Sequence, residues 1–191
     1  MSIREVAASQ ITETVEKLCM EANYYLPEDT YTALERARAA EASPLCREII
    51  GDILKNADIA REKQMPICQD TGVACVFLKI GQDLHIDGNV EEAVNEGVRQ
   101  GYTEGYLRKS VVRDPLDRVN TGDNTPAMIY YELVSGDKLE ITVAPKGFGS
   151  ENMSAIKMLR PSDGLQGVKD FVMKVVEDAG PNPCPPIVVG V

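Results

Sequence analysis

Residues 72–81 read GVACVFLKIG and mark a change of pattern in the chain. The segment is rich in Val, Ile and Phe, is bounded by glycines, and is short enough for a strand. We therefore predict a largely buried strand here. The preceding residues, PICQDTG at 66–72, would then form the loop that enters this strand.

The sequence before this strand predicts helices. Apolar residues at the N-terminus are spaced as one face of a helix: Ile3, Val6, Ala7, Ile11, Val15 and Leu18. A second helix is predicted after Pro27. A third begins with Ser43 as its N-cap and Pro44 at its first helical position. The N-terminal third is therefore expected to be helical.

The sequence after the strand alternates between helix and strand patterns. Residues 89–110 carry one apolar helical face, on which Gly97, Gly101 and Gly105 recur every fourth position and would allow another backbone to approach closely. Two strand-like runs, TPAMIYYELV and KLEITVAPKG, flank the turn residues 135–137 and predict a hairpin.

The C-terminal part predicts one more amphipathic helix, SDGLQGVKDFVMKVVEDAG, which ends at Gly180. Its inward face would consist of Leu165, Val168, Phe171, Val172, Val175 and Val176. PKGFGSENMSAIKML before it predicts a turn running into a helix, and PNPCPPIVVGV after it predicts the start of a strand. The predicted fold class is α/β, with a small mixed β-sheet packed among many helices in one domain over residues 1–191.

Charge and composition narrow the class of partner. Thirty acidic and twenty basic residues give a net charge of -10, which argues against binding to nucleic acid or to an anionic membrane. A few local arginines could still bind a small dianion. The N-terminus lacks the continuous apolar run of a signal peptide or a membrane span, so a cytoplasmic protein is expected.

The five cysteines divide into two groups. Cys19, Cys46 and Cys75 lie within predicted helices or the strand and are expected to be buried thiols. Cys68 and Cys184 lie in loops beside prolines, each just before a predicted strand, where a thiolate could face a cleft. Their separation alone does not make a metal signature, and an odd number of cysteines without an export signal argues against disulfides.

Three further features have both a structural and a functional interpretation. The stretch YLRKSVVRDPLDRVNTGDN concentrates basic residues that either form a solvated helix end or bind a carboxylate: Arg108, Lys109, Arg113 and Arg118. The turn KGFGSEN could bind an anion through backbone N–H groups. The single histidine, His85, lies in a turn-like segment and is expected to be an ordinary surface or turn histidine, and no spacing supports a nucleophilic pair with Cys68.

Four segments taken together resemble one family: PICQDTGVACVFLKIG, LRKSVVRDPLDRVNTGDNTPA, APKGFGSENMSAIKMLRPSDG and AGPNPCPPIVVGV. They are similar, in order and over nearly the whole chain, to the α-subunit or N-terminal half of class I iron–sulfur fumarate hydratases and the related L-tartrate dehydratases. The resemblance implies a hydro-lyase subunit that reversibly hydrates fumarate to malate. Dehydration of tartrate to oxaloacetate is the alternative, and a non-catalytic subunit-interaction domain is the third hypothesis.

The resemblance also implies a cofactor. In this family a 4Fe-4S cluster is held by three cysteines, and its fourth iron is open to substrate and acts as a Lewis acid. Cys68 and Cys184 match two of these ligands. The third would come from a Cys-His segment beyond Val191, so the sequence is expected to be a C-terminally truncated N-terminal part of the α-subunit, inactive when isolated.

The resemblance assigns roles to the remaining site residues. Asp70 is expected to be the catalytic acid–base group for the hydroxyl proton, and it binds substrate together with Gln69. Arg108 would hold a carboxylate of a small dicarboxylate substrate, and Gly149 would offer a backbone contact. The base for the carbon-bound proton would come from the β-subunit or C-terminal half of the same enzyme, within an oligomer.

Overall fold

The structure is a computed structural model that describes residues 3–149, 152–184 and 187–191. The chain divides into two compact units, Met1–Lys146 and Gly147–Val191. The first unit is a mixed α/β structure whose N-terminal part is helical, and this confirms the predicted fold class. The interpretation of residues 1–191 as a single domain stays a prediction.

The first unit contains nine helices and strands in its described residues. In chain order they are β1 (Arg4–Ala7), α1 (Ala8–Tyr24), α2 (Glu28–Ala40), α3 (Pro44–Lys63), β2 (Val73–Gly81), β3 (Leu84–Asp87), α4 (Val90–Glu104), β4 (Met128–Val134) and β5 (Leu139–Lys146). The second unit contains a short 3₁₀ turn, Pro161–Asp163, followed by α5 (Gly164–Ala179). None of the helices described has both the length and the apolar character that crossing a membrane requires.

The N-terminal helix begins later than predicted. Arg4–Ala7 form β1, which pairs in parallel with β3, and α1 starts only at Ala8. The side chain of Gln10 explains this boundary, because its Oε1 accepts the Ala7 N–H at 3.2 Å and so caps the first turn. His85 is exposed, as expected of a surface histidine, but the turn-like segment predicted around it is strand β3.

The predicted helix starts at Pro27 and Ser43 are confirmed. Pro27 is the N-cap of α2, and Ser43 is the N-cap of α3 with Pro44 in the first turn. Ser43 Oγ accepts the Cys46 N–H at 3.4 Å, which satisfies one of the donors that a helix start leaves unpaired.

Close packing of α4 against α1 depends on glycines. A Cβ on Gly97 would lie 2.6 Å from Thr12 O, and one on Gly101 would lie 2.7 Å from Glu16 O. The hydroxyl of Thr12 donates to Ala93 O at 3.0 Å across the same contact. The close backbone approach predicted from the glycine spacing is therefore confirmed.

The main sheet has the strand order β4-β2-β5, with β4 parallel and β5 antiparallel to β2. Both predicted strands at residues 128–146 exist, but the predicted hairpin is wrong because β2 lies between them. β2 is largely buried, so both of its edges need hydrogen-bond partners. The connection passes across the end of β2, where Asp83 N–H donates to Gly136 O at 2.9 Å.

The core lies between one face of this sheet and the helices α1 and α4. Ala74, Val76 and Leu78 of β2 pack with apolar residues of the two helices, notably Ile11, Val15, Val94 and Val98. Burying one such aliphatic side chain contributes about 1.5–3 kcal/mol. On the opposite face Phe77 stacks on Tyr130 with ring centroids 4.9 Å apart, and both rings remain partly exposed.

In the second unit the predicted helix exists and its stop at Gly180 is confirmed, but α5 begins only at Gly164, after the 3₁₀ turn Pro161–Asp163. Its apolar face is only partly buried: Phe171, Val172 and Val175 are half-buried, whereas Leu165 is 70% exposed and Val168 is 38% exposed. An amphipathic pattern identifies a face that can be buried, but it does not say what buries it. Residues 154–160 are not helical and residues 187–191 are not in a strand, so these two predictions are wrong for the part of this unit that is described.

Candidate functional site

The loop at residues 66–72 is fixed at its first end by the helices before it. The Ile67 N–H donates to Asn23 O at 2.9 Å, and Asn23 lies at the end of α1. Asn56 Nδ2, on α3, donates to Ile67 O at 2.8 Å. Both backbone groups of Ile67 are therefore held by helices that precede the loop.

The same loop is fixed at its second end by two side chains that come later in the chain. The phenol of Tyr102, on α4, donates to Thr71 O at 2.7 Å, and Asn124 Nδ2 donates to Gly72 O at 3.0 Å. Gly72 has a φ of 61°, a conformation that favours glycine. Thr71 and Asn124 are both buried, so this end is shielded from solvent.

Three predicted site residues lie between these two fixed ends. The side chains of Cys68 and Gln69 are exposed, and Asp70 is half-buried. The Asp70 N–H donates to Cys68 Sγ at 3.4 Å. An N–H group directed at sulfur is a contact typical of cysteine ligands in iron–sulfur centres, where it stabilises the thiolate. The loop thus presents a thiol, an amide and a carboxylate on a rigid support.

Arg108 is joined directly to this loop. Thr71 Oγ1 donates to Arg108 O at 2.9 Å, so the arginine backbone is one hydrogen bond from the residue after Asp70. The Arg108 side chain is exposed and forms no salt bridge within the described part of the chain. Because α4 ends at Glu104, Arg108 lies in a loop and is not at a solvated helix end. An exposed guanidinium of this kind can bind a carboxylate with two parallel hydrogen bonds.

Asn124 connects the two segments, and sequence reasoning did not identify it. Its Oδ1 accepts the N–H groups of Ser110 at 2.7 Å and Val111 at 3.1 Å, while its Nδ2 donates to Gly72 O. It has a φ of 64°, which asparagine tolerates better than most residues. The only sequence signal was its place in a Gly-Asp-Asn turn.

Asp123, the neighbour of Asn124, carries the most perturbed carboxylate of the described unit. Burial acts to raise its pKa, but hydrogen bonds from the Thr125 N–H and hydroxyl, together with Arg99, outweigh this and lower it to about 2. Arg99 Nε lies 3.1 Å from Asp123 Oδ2. This ion pair ties the loop that contains Asn124 to helix α4.

The three cysteines that were expected to be buried differ in exposure. Cys19 and Cys75 are buried as predicted, and burial raises the pKa of the Cys19 thiol to about 12. Burial likewise raises the pKa of Tyr102, so its phenol stays protonated and can donate to Thr71. Cys46 was expected to be buried but is exposed, because α3 turns it toward solvent. All five cysteines are free thiols.

Gly149 and Cys184 lie in the second unit. The thiol of Cys184 is exposed, as is that of Cys68. Cysteine thiolates are the ligands of iron–sulfur clusters, so Cys68 and Cys184 each have the side-chain chemistry of such a ligand. Within the described residues, no group of three or more His, Cys, Asp and Glu side chains could hold a metal ion.

Two clefts among the described residues lie away from the loop. One, of about 530 Å³, is lined by Asn89, Glu91, Glu92, Asn95, Glu96 and Arg99 at the start of α4. The other, of about 630 Å³, lies between α2 and α3. Neither is lined by a predicted site residue, and the acidic first cleft would repel a dicarboxylate. The loop therefore remains the candidate site on grounds of chemistry.

Comparison with known proteins identifies the family. The profile of the family described as fumarate hydratase (Fumerase) matches residues 12–191. The chain is 45% identical over 189 residues to a protein of Methanocaldococcus jannaschii provisionally named L(+)-tartrate dehydratase subunit alpha, covering 95% of this chain and 66% of that protein. It is 30% identical over 194 residues to the L(+)-tartrate dehydratase subunit alpha of Escherichia coli K12, covering 100% and 64% respectively.

The chain thus spans somewhat less than two thirds of the length of these relatives. The profile match extends through all four segments on which the resemblance was based, from the cysteine loop to the C-terminal Pro-Cys-Pro stretch. The predicted family is confirmed. The chain belongs to the fumarate hydratase (Fumerase) family.

Proposed function

We propose that this chain is a subunit component of a hydro-lyase that adds or removes water on a four-carbon dicarboxylate. The observation that carries the proposal is the anchored loop, which presents Cys68, Gln69 and Asp70 together and is bonded through Thr71 to Arg108. Membership of the fumarate hydratase family supports the reaction class.

Two substrates are candidates. The relatives named above are tartrate dehydratase subunits, which favours dehydration of L-tartrate to oxaloacetate. The family description favours reversible hydration of fumarate to malate. Malate and tartrate differ by one hydroxyl, so a few polar contacts would decide between them. Malate and tartrate would each present two carboxylates and one reacting hydroxyl to the same groups.

The cofactor we propose is a 4Fe-4S cluster. Cys68 and Cys184 would supply two of its thiolate ligands, and the third would come from residues outside this sequence. When bound, the cluster supplies an iron with an open coordination position, which acts as a Lewis acid. The Asp70 N–H that donates to Cys68 Sγ would stabilise the thiolate charge.

The side chains of this chain would orient the substrate and move one proton. The Arg108 guanidinium binds a substrate carboxylate through two parallel hydrogen bonds. The Gln69 amide and a backbone group of Gly149 add polar contacts that fix its orientation. The Asp70 carboxylate then exchanges the proton of the reacting hydroxyl as the general acid–base group.

The proton on carbon requires a second group, which we propose comes from a partner. The relatives are named alpha subunits, so a β-subunit or the equivalent C-terminal half is the expected partner. Assembly into an oligomer and a cytoplasmic location remain predictions of the same proposal. The chain alone is expected to be inactive.

The activity test uses the parent α-subunit assembled with its β-subunit and reconstituted without oxygen. Steady-state rates on fumarate, malate and both tartrate enantiomers identify the substrate. Asp70→Asn should lower kcat on the order of 10²-fold or more, and Arg108→Ala should mainly raise KM. Arg118→Ala, at an exposed position of the same basic stretch, is the matched control. Unchanged kinetics in both site variants would favour the non-catalytic interaction domain.

The cofactor test measures iron, sulfide and visible absorbance in the same assembly. Cys68→Ser should lose most of the bound iron and the cluster absorbance. Cys46→Ser is the matched control, because Cys46 is also exposed but lies on helix α3. Full iron content and colour in the Cys68→Ser enzyme would remove Cys68 from the ligand set.

A further inference from the structure

We propose that Asn124 is a positioning residue, which holds the loop of Cys68, Gln69 and Asp70 at a fixed separation from the segment of Arg108. Only the substrate readout of this inference rests on the proposed function. The inference predicts that loss of the Asn124 side chain weakens dicarboxylate binding by more than its effect on folding explains.

The Asn124 side chain contacts two separate segments of the chain. Its Oδ1 accepts from Ser110 and Val111, which follow Arg108 closely in the chain, and its Nδ2 donates to Gly72 at the end of the cysteine loop. The residue is 0% exposed, so water cannot replace these partners. If the amide is removed, three backbone groups lose their hydrogen bonds inside the protein.

The backbone around Asn124 is itself held in place. Asp123 accepts a hydrogen bond from Arg99 of α4, and its Oδ1 accepts the Thr125 N–H at 3.0 Å. Asn124 adopts the left-handed conformation with a φ of 64°. Its amide therefore extends from a fixed base, which is the condition for setting a distance between two other segments.

A second connection joins the same two segments independently. Thr71 Oγ1 donates to Arg108 O at 2.9 Å, one residue before the Gly72 carbonyl that Asn124 binds. Asp70 and Arg108 are thus linked by two short side-chain bridges. A small displacement of a substrate-binding group can cost a large factor in rate, so these bridges should matter to catalysis.

The two bridges can be removed separately. Asn124→Asp keeps the oxygen that accepts from Ser110 and Val111 but, when ionised, loses the donor to Gly72. Asn124→Gly removes the whole side chain at a φ that glycine adopts without strain. Thr71→Val removes the hydroxyl bridge. Thr12→Val is the matched control, because the Thr12 hydroxyl also joins two segments, α1 and α4, through a backbone carbonyl.

The experiment compares these variants in the assembled α/β enzyme. We expect Asn124→Gly and Thr71→Val to raise KM for the dicarboxylate at least tenfold, with a smaller fall in kcat. Thr12→Val should lower Tm by a similar amount but keep KM within twofold of the wild-type value. If the site variants keep KM within twofold while their Tm falls as in Thr12→Val, Asn124 is only structural and the inference is overturned.

Two measurements need no turnover, so they separate this inference from the proposed function. Amide hydrogen exchange at residues 68–72 and 110–111, and the rate at which iodoacetamide labels Cys68 in the cluster-free enzyme, should each rise several-fold in Asn124→Gly and Thr71→Val. Unchanged exchange and labelling would overturn the positioning role even if the enzyme is active. If the wild-type enzyme turns over none of the dicarboxylates, the proposed function fails. The exchange and labelling rates then decide by themselves whether Asn124 positions the loop. Should Asn124→Gly not fold, Asn124→Asp and Thr71→Val decide.

Discussion

Asp123 keeps its negative charge because Thr125 and Arg99, a residue of helix α4, stabilise it. Two hydrogen bonds from Thr125 and the contact with Arg99 outweigh the effect of burial, so its pKa falls from an ordinary 3.8 to about 2. The loop that carries Asn124 therefore depends on an ionised carboxylate. Neutralising this carboxylate should loosen the loop.

The sign of the resulting pH dependence follows from the lowered pKa. The stabilising contribution of Asp123 is fully present above about pH 4 and is lost as the pH falls toward 2. In urea unfolding, the wild type should therefore exceed Asp123→Asn in free energy of unfolding at pH 6, and this difference should shrink toward pH 3. A difference that stays constant over this range would contradict the assignment.

At the residue scale, a candidate site can be proposed from sequence where its residues are adjacent in the chain. Cys68, Gln69 and Asp70 form one motif, so a short stretch was enough to propose them together. Asn124 and Tyr102 bind partners 52 and 31 residues away, and no local pattern carries that information. Their roles emerge only when folding brings these segments together.

Helix α4 packs on α1 without the space that a side chain would need. A Cβ on Gly101 would meet Glu16 O at 2.7 Å and Cys19 Cβ at 2.9 Å. These are a backbone atom and the base of a buried side chain, and neither can move without shifting α1. The two helices are therefore locked at a short distance.

Gly101→Ala should lower the free energy of unfolding by about 1–3 kcal/mol, because overpacking outweighs the higher helix propensity of alanine. Gly51→Ala, on α3, is the matched control. The atoms nearest to its added Cβ belong to the flexible Arg38 side chain, at 3.0 Å, so the stability of this variant should be unchanged or higher by up to ~1 kcal/mol. Urea denaturation measures both. Equal stabilities would show that the α1–α4 contact adapts.

At the element scale, local signals were sufficient for some boundaries and not for pairing. Ser43 and Pro44 marked the start of α3 because a helix start is decided by its own first turn. The prediction that β4 and β5 pair with each other was wrong, because strand pairing is decided by distant residues, here the buried β2. Likewise, β1 depends on β3, which lies far along the chain.

The whole chain carries a net charge of -10, and none of the described Asp, Glu, Lys and Arg residues is buried. Like charges repel one another in the folded state more than in the expanded unfolded state. Salt screens this repulsion, since the Debye length falls from about 30 Å at 0.01 M to about 10 Å at 0.1 M. Folding should therefore respond to ionic strength.

Raising NaCl from 10 to 200 mM should increase Tm by a few degrees, on the order of the shift that ~1 kcal/mol produces in a chain of this size. Calorimetry or circular dichroism measures it. Lysine acetylation makes the net charge more negative and should therefore increase the rise of Tm with NaCl concentration. A Tm that falls with added NaCl would mean that favourable ion pairs, such as Lys79–Glu140, dominate instead.

At the scale of the whole molecule, the fold class and the family were predictable because their signals recur along the chain. The spacing of apolar residues indicates helices and strands all along the chain. The four family segments likewise span most of the sequence. The surroundings of α5 were not predictable, because the apolar face that includes Leu165 does not show which element packs against it. The irregular stretch at 154–160 carries no strong period of its own.

The central place of β2 has a consequence for synthesis on the ribosome. β2 ends at Gly81, but its two partners begin only at Met128 and Leu139. Because translation proceeds at roughly 5–20 residues per second, β2 remains with both edges unpaired for several seconds. During that interval the nascent chain would offer other strands a place to bind, so chaperone contact and slow translation should affect the yield of this protein more than its final stability does.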